Sequence, residues 1–294
     1  MLVTIAICTR NRAESLRRTL DSLAALQIPG DLTWEIVIVH NSTDHTDKVI
    51  GEYLNRLPVR KELETQAGLS NARNQAIDAA KGEYIIWTDD DVIVGPGWLS
   101  AYVEAFRRWP EAAVFDGRIK PKYEPPVTRW IAEAEALLVG PLAIRDFGER
   151  VQPLSVAGYR IPFGANFAIR TKEQRAFRYD RNLGAAPNRP RSDDEVDVIT
   201  RLLESGATGY WIPDAAVEHC IGQDRQTLSY IASTNAMAKP GPFVPPKSPL
   251  KHRFGLGFRD GYGRGCLHGG SYTGCPGQCS QRRLGQISKG VFLQ

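Results

Sequence analysis

The sequence predicts an α/β protein built on a parallel sheet with helices on both faces. Three observations carry this. Short apolar runs rich in β-branched residues alternate with segments of helical period through the first hundred residues, the links between them are short, and polar clusters follow the strand ends.

Residues 2–8 form the first apolar run, and residues 11–26 follow with Leu16, Leu20, Leu23 and Leu26 at helical spacing. Residues 34–40 read as a second strand. Asn41, Ser42, Thr43 and Asp44 then supply caps for a helix carrying Val49, Ile50, Tyr53 and Leu54. A short third strand is expected at 59–63, an Ala-rich helix at 70–80, and a fourth strand at 83–88 that runs into three consecutive aspartates. Pro96 suits the first turn of a further helix. Beyond it the alternation breaks down: Pro121, Pro125, Pro126, Pro141, Pro153 and Pro162 punctuate a region whose best regular element is a helix at 128–139. A helix at 193–204, strands at 210–212 and 216–219, and a last helix at 224–238 close the readable body. No internal repeat is visible.

The 294 residues, 42% hydrophobic and 24% charged, support a sizeable core and exclude wholesale disorder, collagen and coiled coil; the length allows one or two domains. The net charge of +4 hides an asymmetry. Residues 239–294 hold nine Lys/Arg against one acid, a net +8, which leaves residues 1–238 at −4. The same segment carries 12 of the 27 Gly and, beyond Pro240, shows no periodicity, so a basic, poorly ordered tail is expected. Its Cys266, His268, Cys275 and Cys279 match no zinc-knuckle spacing. The first residues lack a basic leader, no segment approaches the roughly 20 apolar residues of a membrane span, and the body has only Cys8 and Cys220. A cytoplasmic protein is the expectation.

In open parallel sheets ligands bind beyond the carboxyl ends of the strands. Thr9-Arg10-Asn11, His40-Asn41 and Asp89-Asp90-Asp91 all follow strand ends, so they should share one rim. Three adjacent carboxylates repel unless a cation or hydrogen-bond donors compensate, and a divalent metal is the natural solution. A helix cap plus two solvated aspartates is the competing explanation. No GxxxxGK[ST] or early GxGxxG is present, so bound phosphates would need metal and arginine, with Arg10 and Arg73 as candidates. A second acidic cluster, Asp193-Asp194-Glu195 with Asp197, either caps its helix or supplies a general base. His219 ends a strand, where a lone histidine is structural or a ligand; an Asp/His mixture suits Mn²⁺ better than an all-oxygen site.

Taken in order, residues 5–11, 35–44, 68–74 (Gly-Leu-Ser-Asn-Ala-Arg-Asn), 88–91, 164–170, the acidic cluster before Arg201-Leu202-Leu203, and 210–219 resemble family-2 glycosyltransferases. The resemblance covers about residues 2–238. It implies the GT-A fold, a Rossmann-like, mostly parallel central sheet flanked by helices with a smaller acceptor-side region, divided as a nucleotide-sugar-binding half (1–118) and an acceptor half (119–238). It implies an inverting transfer of sugar from a nucleotide-diphosphate donor to a hydroxyl of a glycan or lipid-linked saccharide, assisted by Mn²⁺ or Mg²⁺, with no nucleic-acid partner. Thr9, Arg10, Asn11, His40, Asn41, Arg73, Asp89 and Asp90 would contact the nucleotide. Asp89 and Asp91, the ends of the family's DxD element, and His219 would hold the metal, with a register using Asp90 left open. Gly164, Ala165 and Asn166 would face the donor sugar and acceptor. Glu195 falls at the position of the family's basic aspartate and Asp194 just before it, so the usual Glu-Asp order is exchanged. His40 stands where uridine-binding members carry aspartate, which leaves UDP the default and other bases open. A phosphohydrolase with an Asp nucleophile and a sugar-nucleotide-binding protein without transferase activity are the competing functions. The basic tail offers a peripheral contact with an anionic membrane surface.

Overall fold

The computed structural model describes residues 1–186 and 194–237, which belong to one compact unit. Statements about Asp193, the tail after residue 238 and its cysteines therefore lie outside the described residues.

The first half alternates as predicted: β1 (Leu2–Thr9), α1 (Ala13–Ala24), β2 (Thr33–His40), α2 (Thr46–Tyr53), β3 (Val59–Leu63), α3 (Leu69–Ala79) and β4 (Tyr84–Thr88). β5 (Val92–Val94), α4 (Trp98–Arg108), β6 (Val114–Tyr123), α5 (Arg129–Ala134), β7 (Gln152–Pro153), β8 (Asn166–Arg170) and α6 (Thr171–Ala176) follow. The described chain closes with α7 (Asp194–Glu204), β9 (Gly209–Ile221) and α8 (Leu228–Met237). One sheet has the order β3-β2-β1-β4-β8-β6-β9-β5, with β7 beside β9. The four strands β3, β2, β1 and β4 are parallel; β8 runs antiparallel between β4 and β6.

Strands covered on both faces need apolar side chains throughout, which is why β1 and β2 read as continuous hydrophobic runs. One face packs on α1, α2 and α4 through Leu16, Leu20, Val49, Ile50, Leu99 and Phe106. The other packs on α3 and α7 through Ile77, Val198, Ile199 and Leu202. A smaller cluster of Ile131, Leu138, Leu142, Ile144, Ile221 and Ile231 joins α5 and α8 to the end of β9.

Four strands were not anticipated: β5, β6, β7 and β8. β6 carries Asp116, Gly117, Arg118, Lys120 and Pro121, which hide its strand character, although Val114–Ile119 are all buried between two neighbours. β5 is only 3 residues long. β8 was visible as a motif but not as a strand. The two short strands expected around Pro213 are one strand of 13 residues. Gly117 pairs with Ile212 but Ile119 pairs with Val217, so Arg118 alone faces residues 213–216. Pro213 sits in this irregularity, where the ladder needs no N–H. The helix expected at 128–139 is α5 followed by a 3₁₀ turn, and that at 224–238 is a 3₁₀ turn, Gln223–Gln226, followed by α8.

Asn166 locks this irregular region. Its Nδ2 donates to the carbonyls of Arg118 (2.9 Å) and Ala215 (2.7 Å), while its Oδ1 accepts from Trp98 Nε1 (2.8 Å) and Tyr102 OH (2.9 Å). A fully buried amide with all these partners holds α4, β6, β8 and β9 in one register.

Candidate active site

The carboxyl ends of β1, β2 and β4 open on one rim, together with the start of β8 and the His219 region of β9. Between them lies a cleft of about 530 Å³. Thr9, Arg10, Asn41, Arg73, Asp89, Asp90, Asp91, Gly164, Ala165, Asp194, Glu195 and His219 all line it.

One wall is acidic and carries its own cations. Thr9 Oγ1 donates to Asp90 Oδ2 (2.6 Å), and Arg12 spans Asp90 Oδ1 (2.7 Å) and Asp91 Oδ2 (2.8 Å). Arg225 reaches Asp91 Oδ2 at 3.0 Å and donates through Nη1 to His219 Nε2 at 2.9 Å. A guanidinium only donates, so Nε2 accepts there, and the proton sits on Nδ1, which donates to the Leu142 carbonyl (2.9 Å). Burial raises the Asp90 carboxyl to about 7, opposed by Arg12 and reinforced by Asp91. Asp91 is buried too, yet the Arg12 and Arg225 guanidiniums on its Oδ2 outweigh that burial and hold its carboxyl well below the usual range.

The opposite wall is built on the first turn of α7. Asp194 is 1% exposed and binds Arg73 Nη1 (2.8 Å) and Ser70 Oγ (3.0 Å). Glu195 is 15% exposed, with Oε2 at 3.3 Å from the same Arg73 nitrogen. Arg73 lies over the Tyr179 ring, 5.2 Å from its centroid. Gly164 closes the gap: a Cβ there would stand 2.6 Å from Arg73 Nη2 and 3.6 Å from Glu195 Oε1. Burial lifts the Glu195 carboxyl from 4.5 to about 7, against the pull of Arg73 and with the push of Asp194. Asp194 is therefore the structural anchor of Arg73, and Glu195 is the carboxylate that reaches open space. Burial also pushes the Cys8 thiol up to about 12, so it is no nucleophile at neutral pH.

Three predicted residues are not brought into the cleft. Asn166 is consumed by the lock described above. Asn11, at φ +54°, accepts from Thr43 N at 2.8 Å through its side-chain oxygen and donates its own backbone N–H to Ser42 Oγ, tying the loop after β1 to the loop after β2. His40 is buried with Nε2 3.5 Å from Asp47 and Nδ1 without a partner. Burial lowers its pKa, with Asp47 opposing, so the ring is mainly neutral at pH 7. Conversely, Arg12, Glu64, Gln66, Phe163 and Arg225 line the cleft without having been singled out. Arg12 was legible, one residue past a motif at a strand end. Arg225 belongs to a 3₁₀ turn with no motif, and nothing in its surroundings marks it.

Among the described residues no three His, Cys, Asp or Glu side chains form a ready-made metal group. Asp89, Asp91 and His219 share the cleft, but Asp91 Oδ2 and His219 Nε2, 3.4 Å apart, are turned onto arginines. Asp91 Oδ1, by contrast, is buried and has no partner. An aspartate oxygen without a partner, on a carboxylate whose other oxygen lies 3.4 Å from a histidine nitrogen, fits Mn²⁺ or Mg²⁺, which complete their shells with phosphate oxygens and water.

A sheet of this topology, with an acidic strand-end cluster on one side of the cleft and Glu195 on the other, has the GT-A fold of the solved structures it resembles. The chain belongs to glycosyl transferase family 2, whose model matches residues 4–172. It is 24% identical over 240 residues to the succinoglycan biosynthesis protein ExoM of Rhizobium meliloti, covering 78% of this chain and 70% of that one. It is 27% identical over 221 residues to the pre-mycofactocin glycosyltransferase of Mycobacterium tuberculosis, covering 74% of this chain and 42% of the relative. S. aureus TarS in complex with UDP-GlcNAc superposes with a TM-score of 0.58 at 20% identity, over 75% of this chain and 58% of that one. The mannosyltransferase PcManGT from Pyrobaculum calidifontis, in complex with GDP-Man and Mn²⁺, gives 0.54 at 19% identity, over 82% and 65%. The chain thus spans less than two thirds of several proteins it resembles. Asp194 and Glu195 lie beyond the residues that the family model matches.

Proposed function

We propose that the protein moves a sugar from a nucleoside-diphosphate donor to a hydroxyl of a glycan or lipid-linked saccharide, with inversion at the anomeric carbon. The observation that carries this is the division of one cleft into two chemically opposite walls: aspartates, His219 and arginines on one, Glu195 on the other. As the anomeric C–O bond breaks, negative charge builds on the leaving diphosphate, and Arg10, Arg12 and Arg225 are already placed to receive it. Mn²⁺ or Mg²⁺, bound by Asp91 and His219 with Asp89, would add charge neutralisation at the same oxygens. Glu195 takes the proton of the acceptor hydroxyl as that oxygen attacks the face opposite the diphosphate. Asp194 fixes Arg73, and Arg73 fixes Glu195 in turn.

UDP is the proposed donor nucleotide. Asn41, Glu64 and Gln66 line the end of the cleft nearest β2 and β3, and a Glu64 carboxylate accepts from a ring N–H as an aspartate would. Support for transfer to a surface glycan comes from the ExoM likeness. Among the described residues no helix is long and apolar enough to cross a membrane. The +8 of residues 239–294 suits peripheral contact with anionic lipid, testable by liposome flotation against a truncation at 249.

A thermal-shift series with UDP, GDP and dTDP, with and without Mn²⁺, tests the donor side. A ligand at 100 times its Kd stabilises the native state by about 2.7 kcal/mol. A metal-dependent shift largest with UDP is expected; no metal-dependent shift with any nucleotide overturns the proposal.

A further inference from the structure

We infer that Arg225 is a resident counter-ion that keeps a divalent metal off His219 until the donor diphosphate arrives, so that nucleotide and metal bind as one event. The inference rests on the donor site proposed above. It starts from a conflict over one atom. Nδ1 of His219 is committed to the Leu142 carbonyl, which leaves Nε2 with a single lone pair, and that lone pair accepts from Arg225 at 2.9 Å. A lone pair serves one partner, so a metal bound to Nε2 and the Arg225 hydrogen bond exclude each other.

Asp91 shows the same division. Its Oδ2 faces Arg12 at 2.8 Å, Arg225 at 3.0 Å and His219 at 3.4 Å, while Oδ1 is buried and bare. A metal bound at Oδ1 would compete with none of these contacts. It gains His219 only when Arg225 leaves. Arg225 itself is able to leave, being 24% exposed on a 3₁₀ turn rather than on a strand, whereas His219 and Asp91 are each about 4–5% exposed.

What draws Arg225 away is the charge of the donor. Its guanidinium lines the cleft, and a diphosphate offers it paired anionic oxygens in the planar geometry that guanidinium matches. One charge-assisted contact is exchanged for another of at least equal strength, and Nε2 is released in the same motion. Arg12 stays on Asp90 and Asp91 and keeps that pair compensated throughout.

The experiment titrates Mn²⁺ into the full chain and counts free Mn²⁺ by electron paramagnetic resonance, first without nucleotide and then with saturating UDP. Wild-type protein should bind Mn²⁺ weakly alone and about ten-fold or more tightly with UDP, the worth of roughly one charged hydrogen bond. Arg225→Ala should bind Mn²⁺ alone about ten-fold more tightly than wild type and lose most of the gain that UDP brings. Arg225→Lys keeps a cation but not the fork, should fall between the two, and serves as the readout if the alanine variant does not fold. In a His219→Gln background the Arg225 substitution should no longer tighten metal binding, because the contested lone pair is gone. Unchanged or weaker binding of Mn²⁺ alone by Arg225→Ala or Arg225→Lys overturns the exchange. If wild-type protein binds no nucleotide with or without metal, the donor site itself fails, a separate outcome.

Discussion

Glu195→Gln separates chemistry from stability at one atom. The substitution keeps the shape and removes the charge, so the acceptor hydroxyl loses its base and kcat should fall by about 10²–10⁴. The wild-type carboxyl, lifted from 4.5 to about 7 by burial against Arg73's opposition, must be ionised to act. The kcat/KM of wild type should therefore rise with pH and level off above about 7, and the variant's residual rate should lack that limb. Stability runs the other way. A carboxyl whose folded pKa is raised contributes stability below its unfolded value and loses it as pH climbs through the folded one. A lift from 4.5 to about 7 corresponds to about 3 kcal/mol at pH 8, at roughly 1.4 kcal/mol per tenfold change in proton affinity. Glu195→Gln should then melt several degrees above wild type at pH 8 and level with it near pH 4. Progress curves of nucleoside-diphosphate release across pH 5–9, with calorimetric melts at the same values, measure both. A variant that keeps kcat within about ten-fold, or keeps the limb near 7, moves the base elsewhere.

Asp194→Ala strips a buried cation of its nearest counter-charge and should cost about 3–5 kcal/mol of stability by denaturant titration, far more than Glu195→Gln. Asn166→Leu should destabilise by several times the ~1–3 kcal/mol of one unsatisfied buried group, since the Trp98 and Tyr102 donors are both orphaned, while any protein that remains folded keeps its nucleotide affinity by calorimetry. Gly164→Ala drives a Cβ to within 2.6 Å of Arg73 Nη2, so kcat should drop at least about ten-fold with little change in donor KM. Burial, opposed by Arg145, raises the Asp116 carboxyl from 3.8 to about 8. Its contribution to stability is full below 3.8 and lost as pH rises through 8, so Asp116→Asn should flatten the alkaline side of the melting curve.

The first half of the fold was legible because each parallel strand is covered on both faces and must be apolar along its whole length, as in β1 and β2. The second half was not, because its strands depart from any period: β6 carries charges and Pro121, and β9 runs through Pro213 by means of an irregularity that only the partner strand reveals. Site residues split the same way. Those at strand ends, Thr9 and Asp89 to Asp91, could be placed from the chain order, as could His219, which lies two residues before the end of β9. Asn166 looked like a ligand because an amide in a Gly-Ala-Asn motif is equally suited to a sugar and to four buried protein partners, and sequence does not distinguish the two. Arg225 could not be found, since its role depends on a tautomer fixed by Leu142.

Arg73 has a bearing on how the chain folds. It sits on α3, in the portion matched by the family, and is 4% exposed, but its counter-charges come from α7, 121 and 122 positions later. A fragment holding the nucleotide-facing strands alone would lose both anions and also Tyr179 and Gly164, which cover that guanidinium, so Arg73 would stand exposed and unfixed. The division expected near residue 118 falls inside one compact unit. The two halves should form cooperatively, with the acceptor half completing the charge balance of the donor half before either has a working site.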